Sequence, residues 1–240
     1  MAPATLTATG IGKRFGALTV LEGIDFAATS DEAVGVVGPN GAGKSTLMAV
    51  LSGAYAPSTG RVALDGRDIT SLGAAERAGL GVMRTHQIPK PFGGLTVLEN
   101  VLVGATHAGG AQGEAGHALA IDALETAGMR HLANRPAESL GLLDRKRLEL
   151  ARALATRPRI LLLDEIGGGL TDGEAAELVS MIKGLRAKGI GIVWIEHIVH
   201  ILLQVAERLI CMDAGRITAD GDPQAVMAHS DVMRAYMGGM

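Results

Sequence analysis

The stretch Gly38-Pro39-Asn40-Gly41-Ala42-Gly43-Lys44-Ser45-Thr46 follows the β-branched run Val34, Val36, Val37 and precedes Leu47, Val50 and Leu51. Its spacing, G-x-x-x-x-G-K-[ST], is that of a phosphate-binding loop between a buried strand and a helix. A triphosphate has to be wrapped by backbone N–H groups, and that works only where side chains stay out of the way; Gly38, Gly41 and Gly43 permit the approach. Leu47, Val50 and Leu51 recur at helical spacing, so the helix that opens here turns its partial positive end toward the phosphates. Lys44 supplies a mobile cation for the β- and γ-phosphates. Ser45 offers a hydroxyl to Mg²⁺, a hard cation that takes oxygen ligands and keeps much of its water.

Working outward, Leu6 to Ala28 alternates in the way of an antiparallel β region, and Arg61 to Ile69, with Asp65-Gly66 at its centre, reads as a hairpin. Ile121, Leu124 and Met129 fit one helical segment, and Leu148, Leu150, Ala151 and Leu154 fit another. Thr106 to Gly116 between them, rich in Gly and Ala and without pattern, reads as a loop. After Pro158 come the apolar run Ile160 to Leu163, the acids Asp164 and Glu165, and Thr171-Asp172-Gly173-Glu174, a capping box ahead of a helix carrying Leu178, Met181, Ile182 and Leu185. A further strand, Ile190 to Ile195, completes a βαβ unit of a parallel sheet. Ligands on such sheets sit beyond the strand C-termini, where Gly38 and Asp164 both fall.

Composition narrows the field. The 240 residues suffice for one large α/β domain or a domain with a small appendage. A net charge of -3 and only 2% aromatic residues provide neither a basic track nor stacking platforms, so nucleic acid is not expected as a partner. The single cysteine, Cys211, lies in the apolar run Leu209 to Met212 and reads as a small core hydrophobe in a reducing compartment. No apolar run is long enough to cross a bilayer, and Met1 to Gly10 lack the features of a signal segment, so membrane association is expected to come through a protein partner.

Asp164 at the tip of its strand is placed to hold Mg²⁺ by way of water. Glu165, one residue on, is placed to orient and deprotonate an attacking water. His197 and His200 stand at i, i+3, but the chain offers no convincing third ligand beside them, so a zinc site is not expected.

With these residues in view, the chain resembles the nucleotide-binding subunits of ABC transporters over nearly its whole length. The resemblance is carried by GPNGAGKST, by Gln87 in RTHQIP, by RLELARALATRPRILLLDE and by His197 in WIEH. It implies a P-loop NTPase of ABC type: a mainly parallel sheet flanked by helices, an N-terminal antiparallel β region and a helical signature subdomain. One domain is then expected over 5–238, with the helical subdomain at about 90–155 and a family-specific C-terminal segment at about 213–240. It implies ATP and Mg²⁺ as ligands, with Gln87 sensing the γ-phosphate through the metal and water and contacting membrane subunits, and His197 bonding the γ-phosphate. It also places Phe15 of KRFG where an aromatic stacks on adenine, against the plain alternative of a core phenylalanine. RTHQIPKPFGGLTVLENV, IEH, AERLICMDAGRITADGDP and the closing Asp231, Val232, Ala235, Tyr236, Gly238 look like ATP-binding subunits of importers for branched-chain and related hydrophobic amino acids. The partners implied are membrane-spanning permease subunits, a second ATPase subunit and, indirectly, a solute-binding protein, at the cytoplasmic face of the inner membrane.

Two departures stand out. Family members carry an LSGGQ-like turn before the RLE helix; counting back from Leu148 without a gap puts Leu140, Gly141, Leu142, Leu143 and Asp144 there. The serine is gone and the second glycine is Leu143. Using Ser139 instead would require a two-residue bulge that disturbs the helix start, so the gapless register is preferred. Losing that hydroxyl removes a charge-assisted hydrogen bond to the partner's phosphate, on the order of 1.5 to 3 kcal/mol, and suggests unequal sites in a heterodimer. The second departure is Ile166 in place of the usual proline, followed in the dimer-contact loop by Gly167-Gly168-Gly169-Leu170-Thr171, with Thr171 where an Asp or Asn is common; three glycines make this loop unusually flexible when free. The rivals are an ATP-sensing regulatory module, favoured by the altered turn, and a soluble P-loop kinase or GTPase. The kinase or GTPase reading is opposed by the lack of an NKxD motif and gives the RLELARAL helix no role. An ABC-type ATPase of DNA repair or translation would need coiled coils or tandem cassettes.

Overall fold

The computed structural model describes residues 3–229 and Val232, so Asp231, Ala235, Tyr236 and Gly238 of the closing pattern lie outside the described residues. In chain order the elements are β1 (Thr5–Phe15), β2 (Leu18–Thr29), β3 (Ala33–Val37), α1 (Lys44–Leu51), β4 (Thr59–Leu64), β5 (Arg67–Asp68), α2 (Ala74–Gly79), β6 (Val82–Arg84), α3 (Val97–His107), α4 (Gly113–Thr126), α5 (Leu142–Leu154), β7 (Ile160–Asp164), α6 (Asp172–Ala187), β8 (Gly191–Ile195), α7 (Val199–Leu202), β9 (Arg208–Asp213), β10 (Arg216–Gly221) and α8 (Pro223–Ala228).

They form two sheets. The smaller is antiparallel in the order β2-β1-β4-β5, and the larger runs β10-β9-β3-β8-β7-β6, parallel throughout except for β10 on β9. Because β7 is buried on both faces, its side chains divide by the period of two. Ile160 and Leu162 join a core shared with the small sheet and with Leu47, Met48, Val50 and Leu51 of α1. Leu161 and Leu163 join the other core, with Leu148 and Leu154 of α5 and Leu178, Ile182 and Leu185 of α6. Helix α1 is thus held between the two sheets, and the loop before it emerges at the C-terminal ends of β3 and β7.

The local signals act as their chemistry dictates. Asp65 and Gly66 both take positive φ, 52° and 78°, and close the β4–β5 hairpin. Thr171 caps α6 by accepting from the Glu174 amide, while Glu174 returns a bond to the Thr171 amide at 2.8 Å. Two expectations are corrected. The loop expected over Thr106 to Gly116 is only residues 108–112, because α3 runs on to His107 and α4 starts at Gly113. Met129 is not helical: Gly128, at φ 68°, breaks the chain out of α4, and Met129 is fully buried beyond the end.

Candidate active site

The phosphate-binding loop is built by backbone that only glycine tolerates. Gly38, Gly41 and Gly43 have φ of 145°, 82° and 98°. A Cβ on Gly38 would lie 2.1 Å from the Met212 carbonyl oxygen, and one on Gly43 would lie 2.7 Å from Leu21 Cδ2. The loop therefore rests directly on β9 and β2. The Ala42 amide donates to the Pro39 carbonyl at 3.2 Å, which closes the turn, and the Gly215 amide donates to the Ala42 carbonyl at 3.1 Å, which ties it to the connection between β9 and β10. Asn40 to Thr46, with Val20 and Glu165, wall a cavity of about 210 Å³ over the start of α1.

Lys44 is buried. Its ammonium donates to the carbonyls of Gly38 at 2.7 Å and Pro39 at 2.9 Å. Burial lowers its pKa from the ordinary lysine value, and the carboxylates of Glu165 and Asp164 pull the other way. Both acids face the loop from the end of β7. Ser45 Oγ lies 3.4 Å from Asp164 Oδ1, at the long limit of a hydrogen bond, while Arg84 at the end of β6 pairs with Asp164 Oδ2 at 2.5 Å. Ser45 and Asp164 offer the hard oxygen donors that Mg²⁺ prefers, next to a cavity lined by backbone N–H groups, so the residues present fit that ion.

Glu165 has φ of +49°, a left-handed conformation unusual for glutamate, and its amide donates to the Ile195 carbonyl at 2.9 Å. That twist brings its carboxylate between two partners. His197 Nε2 donates to Oε1 at 2.8 Å, and the Gln87 amide nitrogen donates to Oε2. Three residues widely separated in sequence, Gln87, Glu165 and His197, thereby share one carboxylate. Phe15 does not belong to the walls of the loop cavity. It is 44% exposed at the end of β1, edge-to-face with Tyr55 at 5.4 Å between centroids, with the Lys13 ammonium 4.9 Å above its ring. The reading as a core phenylalanine is therefore excluded.

The segment after Glu165 is hydrogen-bonded from two sides: the Lys146 ammonium donates to the carbonyls of Ile166 at 2.7 Å and Gly168 at 2.5 Å, and the Gly167 amide donates to Glu196 Oε1. Glu196 also accepts from the His197 amide at 3.0 Å. Arg84, Lys146 and Glu196 were not singled out from sequence. Lys146 sits in the run Asp144-Arg145-Lys146-Arg147, which reads as a solvated helix face, while the other two stand beside Gln87 and His197 and could have been sought there. The turn before α5 has Gly141 at its N-cap, with no side-chain cap. Ser139 Oγ instead donates to Pro136 O at 2.8 Å and accepts from Arg135 Nε at 3.1 Å, turned back into its own loop. A larger, mostly apolar cleft of about 310 Å³ runs between α2, β6, α3 and α5. Its walls do not include the phosphate loop, so the chemistry belongs to the smaller cavity.

A profile of the family described as ABC transporter matches residues 21–167, the span from the second strand through the acids of β7. The chain belongs to the ABC transporter family. Among curated relatives, the ABC protein is 33% identical to the high-affinity branched-chain amino acid transport ATP-binding protein BraF of Pseudomonas aeruginosa, over 97% of each chain. It is 34% identical to LivG of Escherichia coli K12, named in the same way, over 99% of each. It is 32% identical to the lipopolysaccharide export system ATP-binding protein LptB of Haemophilus influenzae, over 97% of each. Among solved structures, a nucleotide-free ATP-binding cassette superposes with a TM-score of 0.87 at 31% identity, covering 97% of this chain and 98% of that one. A cassette in its ADP conformation gives 0.88 at 31% identity, covering 99% and 100%. The ABC protein is accordingly an ATP-binding cassette subunit with the fold expected of one, and the kinase and GTPase readings fall away. Among its described residues no helix is long and apolar enough to cross a membrane.

Proposed function

We propose that this subunit powers an importer for branched-chain or related hydrophobic amino acids, hydrolysing ATP at the cavity between the phosphate loop and the acids that end β7. The observation that carries the proposal is the Glu165 carboxylate, held by His197 and Gln87 at one edge of the cavity whose other walls are loop 40–46. In this reading the loop amides and Lys44 bind the β- and γ-phosphates. Gly38 and Gly43 let Pro39, Asn40, Ala42 and Thr46 hold their backbone in place. Glu165 takes the proton of the attacking water, and the imidazole of His197 fixes that carboxylate and bonds the γ-phosphate. Ser45 and Asp164, with Gln87 by way of water, would hold Mg²⁺. When bound, that ion neutralises charge on the β- and γ-phosphate oxygens. Phe15 is assigned to adenine stacking, supported by its exposure and by the cationic Lys13 beside it.

The importer assignment is supported by the names of the relatives BraF and LivG and by the segment RTHQIPKPFGGLTVLENV. The choice of cargo is assigned to the permease subunits and the solute-binding protein, a reading supported by the comparable identity to LptB, a protein named for a different cargo. The subunit is assigned a peripheral place on the cytoplasmic face of the inner membrane. It docks to its permeases near Gln87, where Ile88 and Phe92 expose large apolar surface. The helical part, about 90–155, would start beside that contact, and the segment from about 213 onward would complete the single domain over 5–238. Because Gly141 brings no hydroxyl to the start of α5, the second ATPase subunit is assigned as a related but different chain whose own turn serves the nucleotide on Lys44.

The test uses the purified chain, a fluorescent ATP analogue and magnesium, and then the complex that co-purifies from detergent-solubilised membranes. Saturable binding that Lys44→Ala weakens, with ATP-dependent leucine uptake by vesicles holding the complex, is the expected result. Binding unaffected by Lys44→Ala would overturn the nucleotide site, and uptake of some other solute class alone would overturn the cargo.

A further inference from the structure

Two buried charges stand next to the catalytic glutamate without being part of the phosphate cavity. Lys146, on the second turn of α5, is 6% exposed, and Glu196, just past the end of β8, is 1% exposed. Burying a lysine and a glutamate is costly, and apolar side chains of similar size would commonly serve stability as well or better. Both spend their hydrogen bonds on the same stretch of backbone. Lys146 takes the carbonyls of Ile166 and Gly168, and Glu196 takes the amide of Gly167 that lies between them. The second carboxylate oxygen of Glu196 accepts from the amide of His197.

The stretch they hold begins at the strained Glu165 and leads into Thr171, the cap of α6. Gly167 is required by the arrangement itself, because a Cβ there would lie 2.6 Å from Glu196 Oε1. We infer that Lys146 and Glu196 are positioning residues for hydrolysis, fixing the backbone on both sides of the Glu165–His197 contact so that carboxylate and imidazole keep their 2.8 Å separation. The inference rests on the assignment of Glu165 as the base. A loop with three consecutive glycines has a large conformational entropy to lose, and the two charges supply the directional bonds that hold it in one shape. Since Lys146 lies on the helix that starts at the Gly141 turn, the clamp also ties that turn to the base.

Steady-state ATP hydrolysis by the complex with its partner ATPase subunit, with active sites counted by bound nucleotide analogue, tests the clamp through Lys146→Met and Gly167→Ala in this chain. Met keeps the length of the stem without its charge. The Ala variant pushes Glu196 off the Gly167 amide and leaves both charges in place. Misplacing a reacting group by about 1 Å costs about a hundredfold, so kcat per site should fall by that order in each variant while the KM for ATP stays within about twofold. If Lys146→Met does not fold, Gly167→Ala alone decides. A kcat per site equal to wild type in a folded variant overturns the clamp, and so does a loss that appears wholly in KM. A wild-type complex that binds nucleotide on this chain without turning it over refutes the hydrolytic assignment and the clamp with it. Wild-type turnover matched by the variants refutes the clamp alone.

Discussion

Arg84 and Asp164 form a 2.5 Å ion pair at the C-terminal edge of the parallel sheet, with both side chains largely withdrawn from water. β6 and β7 are neighbours, with Arg84 in register with Leu162, so the guanidinium reaches two residues along to the carboxylate. Removing one member of such a pair leaves the other charge buried alone, which costs about 3 kcal/mol. Arg84→Met should therefore lower the melting temperature by roughly 6 to 12 °C in a chain of this size. Combining it with Asp164→Asn should cost clearly less than the sum of the single changes, and thermal melts showing simple additivity would dismiss the pairing as a stabilising contact.

Glu165→Gln removes the group that accepts the proton but leaves Lys44 and the loop amides untouched. Turnover should drop by about a hundredfold or more while nucleotide affinity persists. Single-turnover hydrolysis measured beside equilibrium binding separates the two, and a variant that turns over at the wild-type rate would move the base elsewhere.

The glycines of the phosphate loop are not equivalent. An alanine at Gly38 would drive its Cβ to 2.1 Å from the Met212 carbonyl in addition to the backbone strain, whereas at Gly41 nothing lies within 4 Å and only the strain at φ 82° remains. Gly41→Ala should cost about 1 to 2 kcal/mol, and Gly38→Ala about 3 kcal/mol or more with loss of nucleotide binding. Denaturant unfolding of both variants that ranked them in the opposite order would contradict the packing of the loop on β9.

Glu196 gives the stability a definite pH dependence. Burial pushes its carboxyl above the usual glutamate value of 4.5, against the opposing pull of the Gly167, His197 and Ile198 amides and of Lys146. Just above pH 4.5 the native state thus still holds a proton that the unfolded chain has already released. The stabilising contribution is complete below about pH 4.5 and is lost as pH rises through the raised native pKa. Asp65 and Asp68, whose pKa values are lowered by hydrogen bonds, act in the opposite sense at the acid end, so the difference between wild type and Glu196→Gln isolates the buried group. That difference should move against the wild type as pH rises above about 4.5 and through the raised native pKa in unfolding experiments, and a flat difference would show that burial does not raise Glu196.

How much of this was legible in the chain depends on whether the signal was local. The phosphate loop, the Asp65-Gly66 turn and the Thr171 cap are written in adjacent residues with one backbone solution each, and all three form as expected. Met129 misled because an apolar residue at helical spacing is still apolar after a glycine has ended the helix. The bonds made to the glycine run after Glu165 were illegible for a different reason. Composition reports the backbone freedom of Gly167 to Gly169, whereas the groups that bond to this segment come from residues 146 and 196, joined to the loop only by the fold. The meeting of Gln87, Glu165 and His197 is equally non-local, and the resemblance to a known family, not spacing, brought those three together in advance.

Arg77 of α2 has no solvent exposure and donates to the carbonyls of Val50 and Leu51 at 2.7 and 2.9 Å, and also to those of Thr70 and Leu72. The first two carbonyls close the last turn of α1, the helix that begins at Lys44. A guanidinium there quenches the negative pole of α1 from within the protein. The helix consequently works as a one-ended electrode: its back terminal is grounded on Arg77, and the whole of its remaining field is delivered at the loop where an anion would sit. Any substitution that cut the ground would weaken the grip on phosphate from about two turns away, without touching a single residue of the cavity.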